Sequence, residues 1–181
     1  MFVSRREAGK LLGERLRYLA KEKPIVLGIT RGGVVVAAEV ARILGTPLFP
    51  LVIKKISSPW NPEFALGAAG PESKEAAEQV EKFGAKDLAK KIKNKTVIIV
   101  DDGIATGWTV KTGIKYAKSK KARKIIVAVP VADREVIRRL GREVDSLVVL
   151  EIVDGLGAVG NFYEDFAEVT DEEVVDILSR R

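Results

Sequence analysis

The 181-residue sequence contains no cysteine and no histidine. Without cysteine there is no disulfide, no thiolate nucleophile and no zinc–thiolate centre. Without histidine the commonest general base and the Ser-His-Asp triad are gone, so acid–base chemistry falls to carboxylates, lysine, tyrosine or the substrate itself. Long apolar runs are missing too, since none approaches the ~20 residues of a membrane-spanning helix. The opening MFVSRREAGK has no apolar stretch of the kind a secretory signal carries behind its basic residues. A cytoplasmic location and no membrane partner are therefore expected. What the chain has in excess is positive charge, with 31 Lys and Arg against 25 Asp and Glu and a net charge of +6. Such a balance suits nucleic acid or a phosphorylated small molecule. Much of the excess lies in KKIKNK (90–95) and KSKKARK (118–124). Both runs read as solvated helix ends before strands, where cations suit the negative end of the helix dipole, so nucleic acid is not the expected partner.

The length suits one domain with a sizeable core. Short apolar runs alternate with helical patterns along it. REAGKLLGERLRYLAKE places Ala8, Leu12, Leu16 and Leu19 on one helical face and stops before Pro24. IVLGIT (25–30) reads as a buried strand, and VVVAAEVARILG as the helix after it. LFPLVIKK reads as a second strand whose Pro50 marks an edge or an irregular start. A proline-rich loop and a short apolar ALGAAG precede a charged helix expected from about 72 to 91. TVIIV, KIIVAVPV and SLVVLEIV read as further strands, with helices at 109–118 and over REVIRRLG. The last helix opens with a capping box, Thr170 and Glu173, flanked by a Val169–Val174 staple. Strands that are apolar without alternation are covered on both faces, so the fold expected is α/β, a mainly parallel sheet flanked by helices on both faces. Ligands of such sheets bind beyond the carboxyl ends of the strands.

One of those ends carries VIIVDDGIATGWTV (97–110), with Asp101 and Asp102 side by side. The small residues that follow allow a tight turn at the start of a helix, which is an anion site built from exposed N–H groups and the positive end of the dipole. Thr106 and Thr109 add hydroxyl donors. The spacing is not that of a Walker loop. Two carboxylates repel a phosphate but accept hydrogen bonds from vicinal hydroxyls, so ribose 5-phosphate satisfies both halves of the motif. A receiver-type acidic pair is disfavoured, because it would end the first strand rather than a central one.

The same stretch resembles the phosphoribosyl pyrophosphate (PRPP) signature of type I phosphoribosyltransferases: an apolar strand, two acids, and a small loop ending in Thr-Gly-x-Thr. GITRGG (28–33) resembles that family's pyrophosphate loop. KKISSPWNPEFALGAAG (54–70) and GAVGNFYEDF (157–166) resemble segments of one subgroup of predicted phosphoribosyltransferases whose substrate is unsettled. The resemblance implies one domain over 1–181, with 155–166 as a hood segment. It implies transfer of the phosphoribosyl group of PRPP to a nitrogenous base or other nitrogen nucleophile, with release of pyrophosphate. A non-catalytic PRPP- or nucleotide-sensing protein on the same fold is the alternative. Arg31 and the amides of Gly32 and Gly33 are then expected at the pyrophosphate, next to a Thr30–Arg31 peptide that is often cis in the family. Asp101, Asp102, Gly103, Ile104, Ala105, Thr106, Gly107, Trp108 and Thr109 are expected around the ribose phosphate. Lys54 and Lys55 are expected to screen charge or to serve strand-end solubility, and Glu63 to act as a base or to contact metal-bound water. Trp60, Phe162 and Tyr163 are placed to stack on a base, and Glu164 and Asp165 to read its edge or cap the hood. No direct metal ligand is expected, since Mg²⁺ would be held mainly by PRPP and water. Relatives commonly pair as homodimers. Three features depart from the family pattern. Ala105 stands where 6-oxopurine enzymes have Asp, Ser57-Ser58-Pro59-Trp60 stands where the subgroup has Gly-Ala-Pro-Gly, and the segment from 70 to 95 is short.

Overall fold

A computed structural model of the chain describes residues 1–57 and 65–180. A short strand β1 (Phe2–Ser4) leads into helix α1 (Arg5–Leu16), and a 3-10 helix continues over Arg17–Glu22. Ser4 caps α1, its Oγ accepting the Glu7 N–H at 3.3 Å. Ala8, Leu12, Leu16 and Leu19 are buried together, as their spacing requires. Strand β2 (Ile25–Ile29), helix α2 (Gly32–Leu44) and strand β3 (Leu48–Leu51) form the first crossover unit. Next come β4 (Lys54–Ser57), β5 (Ala65–Ala69), α3 (Ala77–Lys82) and α4 (Leu88–Ile92). The second half runs β6 (Thr96–Val100), α5 (Trp108–Ser119), β7 (Lys124–Asp133), α6 (Arg134–Leu140) and β8 (Ser146–Val153). Strand β9 (Tyr163–Asp165) and helix α7 (Asp171–Ser179) close the chain.

The main sheet has the order β3-β2-β6-β7-β8, with every neighbouring pair parallel. Its strands read as continuous apolar runs because both faces are covered. Val26, Ile98, Val100, Ile126 and Ala128 pack with residues of α1, α2 and α7. The alternate positions Leu27, Ile99, Val127 and Val129 pack with residues of α4, α5 and α6. Pro50 lies on the edge strand β3, where a missing N–H costs the sheet least. Among the described residues no helix is long and apolar enough to cross a membrane.

Two elements differ from the sequence reading. LFPLVIKK is not one strand: β3 ends at Leu51 in the main sheet, and β4 pairs antiparallel with β5 in a separate hairpin. The charged helix expected over 72–91 is broken. A 3-10 turn (Lys74–Ala76) precedes α3, and Gly84, at φ 66°, separates α3 from α4. Ala85 N–H returns to the Val80 carbonyl at 2.8 Å and Gly84 N–H to the Glu81 carbonyl at 3.1 Å, a helix stop that needs a left-handed residue. The segment expected as a hood is anchored to the start of the chain. β9 pairs with β1, Phe2 opposite Tyr163, and the segment packs on Ala8, Val131 and Leu156.

Candidate functional site

Strands β2 and β6 are neighbours, with Gly28 opposite Val100, so the loops leaving their carboxyl ends are forced against each other. Gly32 and Gly33 open α2 directly after the first loop, and Asp101 and Asp102 belong to the second. A Cβ on Gly33 would lie 2.8 Å from the Val100 carbonyl oxygen and 2.9 Å from Asp101 Cα. A Cβ on Gly32 would overlap Asp102 Oδ2 and come within 3.0 Å of Arg5 Nε. The glycine pair and the acidic pair therefore interlock, and neither loop could adopt its path with bulkier residues. The peptide between Thr30 and Arg31 is cis. Thr30 Oγ1 is buried and has no hydrogen-bond partner among the described residues.

The two carboxylates have different surroundings. Asp101 Oδ1 accepts the Asp102 N–H at 2.9 Å, and Oδ2 accepts the Thr109 hydroxyl at 3.3 Å. Burial, reinforced by the Asp102 charge, pushes the Asp101 carboxyl up to about 8, against the pull of these hydrogen bonds and of Lys55. Asp102 Oδ2 instead accepts Arg5 Nε at 2.8 Å, in a pair whose side chains are 11% and 16% exposed. Ionisation of Asp101 is disfavoured, and its neighbour Asp102 has a cation beside it. That is how adjacent aspartates are tolerated at the mouth of a buried strand.

Arg5 is a site residue that the sequence reading misses. Besides binding Asp102, its Nη1 donates to the Ala167 carbonyl at 2.8 Å, and its guanidinium lies 3.7 Å from the Phe166 ring centroid. It ties the acidic pair to the hood. A signal exists in the sequence: arginines occupy the first turn of α1, where the helix dipole favours acids.

The loop after the acids is pinned from behind. Ile104 N–H donates to the Val131 carbonyl and its own carbonyl accepts the Asp133 N–H, each at 2.9 Å. With its side chain in the core, Ile104 has no group left for a ligand, contrary to the expectation. Arg139 Nη2 holds the Thr106 carbonyl at 2.9 Å. Gly107, at φ 80°, leads into α5, whose first-turn N–H groups have no intrahelical partner. Thr106 and Trp108 are exposed beside them, while Ala105 and Gly103 are half-buried.

Other expected residues are placed less simply. Arg31 projects toward α7, its Nη2 2.9 Å from Glu168 Oε1 and its Nη1 3.9 Å from Asp171 Oδ1. Lys54 is half-buried at the start of β4, and it is the neighbouring Lys55 whose charge reaches Asp101. Tyr163 does not offer its ring to a base. The ring is buried, 5.5 Å from that of Phe2 and 5.1 Å from that of Phe166, and its hydroxyl donates to the Asp102 carbonyl at 2.6 Å. Burial and the Asp102 charge hold that hydroxyl well above the ordinary phenol range, so it remains a donor. Phe162 is partly buried against the same cluster, and Glu164 and Asp165 are exposed. Trp60 and Glu63 lie outside the described residues.

The family model described as the phosphoribosyl transferase domain matches residues 4–154. The chain belongs to that family. A Mycobacterium tuberculosis (strain H37Rv) protein provisionally named a phosphoribosyl transferase is 33% identical over 207 aligned positions, covering 99% of this chain and 47% of that protein. The chain therefore spans about half the length of the curated relatives it matches. Among solved structures, a Thermus thermophilus protein designated TT1426 is 39% identical, with a TM-score of 0.78 and coverage of 99% of this chain and 98% of that one. A purine phosphoribosyltransferase of Pyrococcus horikoshii shares the fold at 23% identity and a TM-score of 0.53, covering 90% and 91% of the two chains. The central parallel sheet flanked by helices is thus the type I phosphoribosyltransferase architecture.

Proposed function

We propose that the chain transfers the 5-phosphoribosyl group of PRPP to a nitrogen nucleophile on a small base-like acceptor, releasing pyrophosphate. The observation that carries this reading is the interlock of Gly32 and Gly33 with Asp101 and Asp102, which sets a glycine-rich loop and a pair of hydroxyl acceptors side by side. In the reaction a C1–N bond forms as the C1–O bond to pyrophosphate breaks. Catalysis then consists of holding the ribose and stabilising the leaving group, with no protein nucleophile required. Asp102 Oδ1 and the Asp101 carboxyl would take the ribose hydroxyls, and the segment from Ala105 to Thr109 the 5-phosphate. Thr30 Oγ1 and the amides of Gly32 and Gly33 would face the pyrophosphate. A buried hydroxyl without a partner is costly unless a ligand satisfies it, which fits that role.

Arg31 would join them. Its pair with Glu168 is solvent-exposed and its contact with Asp171 is long, at 3.9 Å, so both are weak enough for a polyphosphate to displace. Glu63, Lys54, Trp108 and Phe162 remain candidates for acceptor or leaving-group contacts. Mg²⁺ would be carried mainly by the substrate's own oxygens and water, with Asp101 and Asp102 as outer contacts. When bound, the ion would neutralise charge on the departing pyrophosphate. A homodimer in the cytoplasm is the expected setting.

The test is pyrophosphate release from labelled PRPP with Mg²⁺ and a panel of purine, pyrimidine and simple amine acceptors. Turnover with at least one acceptor is expected. Tight PRPP binding with no turnover across the panel would replace the enzyme by a PRPP-sensing protein. Loss of PRPP binding by the folded Asp101→Asn/Asp102→Asn variant in titration calorimetry is the second expectation, and unchanged binding would remove the ribose assignment.

A further inference from the structure

The two lysine-rich runs are kept apart by the sequence, but the fold joins them. Asn94 N–H donates to the Lys121 carbonyl and Arg123 N–H to the Lys95 carbonyl, both at 2.9 Å. Asn94 and Lys121 make the turns that permit this, at φ 59° and 60°. Thr96 is opposite Lys124 at the amino ends of β6 and β7, so the joined surface lies at the other end of the sheet from Asp101 and Asp102.

Lys91, Lys93, Lys95, Lys118, Lys121 and Arg123 are exposed there, and among the described residues none of them forms a salt bridge, although the Arg123 charge reaches Glu22. The nearby acids are already engaged: Asp87 with Lys90, Glu72 with Lys120 and Glu22 with Lys124. Ten cations and no acid fall within 90–95 and 115–124. These two stretches alone carry more positive charge than the net +6 of the whole chain. A merely solvated surface intersperses both signs, whereas a single-sign field repels itself and attracts a polyanion.

The chemistry of the surface selects its occupant. Among the described residues none of the exposed large apolar side chains belongs to these two stretches, so they offer nothing to insert into a lipid bilayer. Tyr116, the aromatic residue beside it, is half-buried with Lys120 Nζ 5.4 Å from its ring centroid, so no platform is offered for unstacked bases. Lysines act as point charges on phosphates and do not read base edges by themselves. We propose that this surface binds duplex nucleic acid through its phosphate backbone, independently of base sequence and on the opposite end of the molecule from the phosphoribosyl site.

The test is fluorescence anisotropy with a mixed-sequence duplex, a single strand of the same length, and vesicles containing anionic phospholipid, from low to moderate salt. Duplex binding is expected to weaken with salt, with a log–log slope reporting the phosphates contacted. Lys95→Glu/Lys118→Glu should lose about tenfold or more in affinity at low salt and flatten the slope by about 2. Arg6→Glu/Lys10→Glu, an equal charge change on the opposite-end turns of α1, should stay within about threefold, because distant exposed charges are screened. Thermal melting of both variants separates binding from folding. No salt-dependent duplex binding, an equal loss in the α1 variant, or preference for the single strand or the vesicles would each overturn the proposal.

Discussion

A carboxyl group buried beside a second carboxylate resists ionisation, and Asp101 is such a group. Its acid form is favoured in the folded state from the ordinary value of 3.8 up to about 8, so over that window the folded chain binds more protons than the unfolded one. The contribution of Asp101 to the stability of the ligand-free protein should therefore fall as pH rises from about 4 to about 8, so the stability of the wild type relative to Asp101→Asn should decline over that range. Thermal melts of both proteins check it, and a difference that grows with pH would contradict it. The glycines give a second expectation at this scale. Gly33→Ala would press on backbone at Val100 and Asp101, which cannot rotate away, and should cost about 1–3 kcal/mol in denaturant unfolding. Gly157→Ala, where a Cβ meets nothing within 4 Å, should stay within about 0.5 kcal/mol. What is legible at this scale is the acidic pair and the two glycines, because their chemistry is local in the sequence. Arg5 is not, because its partner Asp102 is 97 residues away and is brought to it by the pairing of β1 with β9 and the packing of the hood. Tyr163 is misjudged for the same reason: loop position suggests an exposed ring, and only the fold shows Phe2 and Phe166 enclosing it.

Elements are readable where local pattern and tertiary packing agree. The helical face of α1, the buried strands and the cap of α7 follow from spacing alone, and Thr170 Oγ1 accepts the Glu173 N–H at 3.1 Å as the capping box requires. Thr170→Ala should cost about 1 kcal/mol of stability, measured by chemical denaturation. The same cap sets the position of Asp171 and, just before it, Glu168, which together engage Arg31. Elements are misread where one residue divides a continuous pattern. Gly84 carries the stop between α3 and α4, a signal available in the sequence but outweighed by the charge-rich helical composition around it. The division between β3 and β4 has no such marker. Both halves suit a strand, and which sheet each joins is decided by the edge position of β3 and by the β5 partner.

The whole molecule gathers its proposed substrate contacts, from Thr30 to Thr109, at one end of a single five-stranded sheet, with Arg5 and Tyr163 bracing Asp102 from behind. Such a site exists only while β1, β2, β6 and the hood are assembled together. A ligand that binds there stabilises the assembled state and not the unfolded chain, by RT ln(1 + [L]/Kd), or about 2.7 kcal/mol at 100 times Kd. For a chain of this size that corresponds to a rise in Tm of roughly 5–10 °C, since 1 kcal/mol moves the midpoint by roughly 2–4 °C. Mg²⁺ and PRPP together should therefore shift one cooperative transition as a unit if residues 1–181 form a single domain, and Asp101→Asn/Asp102→Asn should abolish the shift while still melting cooperatively. The cationic end offers an internal control. Lys95→Glu/Lys118→Glu lies at the other end of the sheet from the site and should leave the PRPP-dependent shift intact. Splitting of the transition, with only one part moving on addition of PRPP, would show that the hood or the β4–β5 hairpin unfolds independently of the sheet.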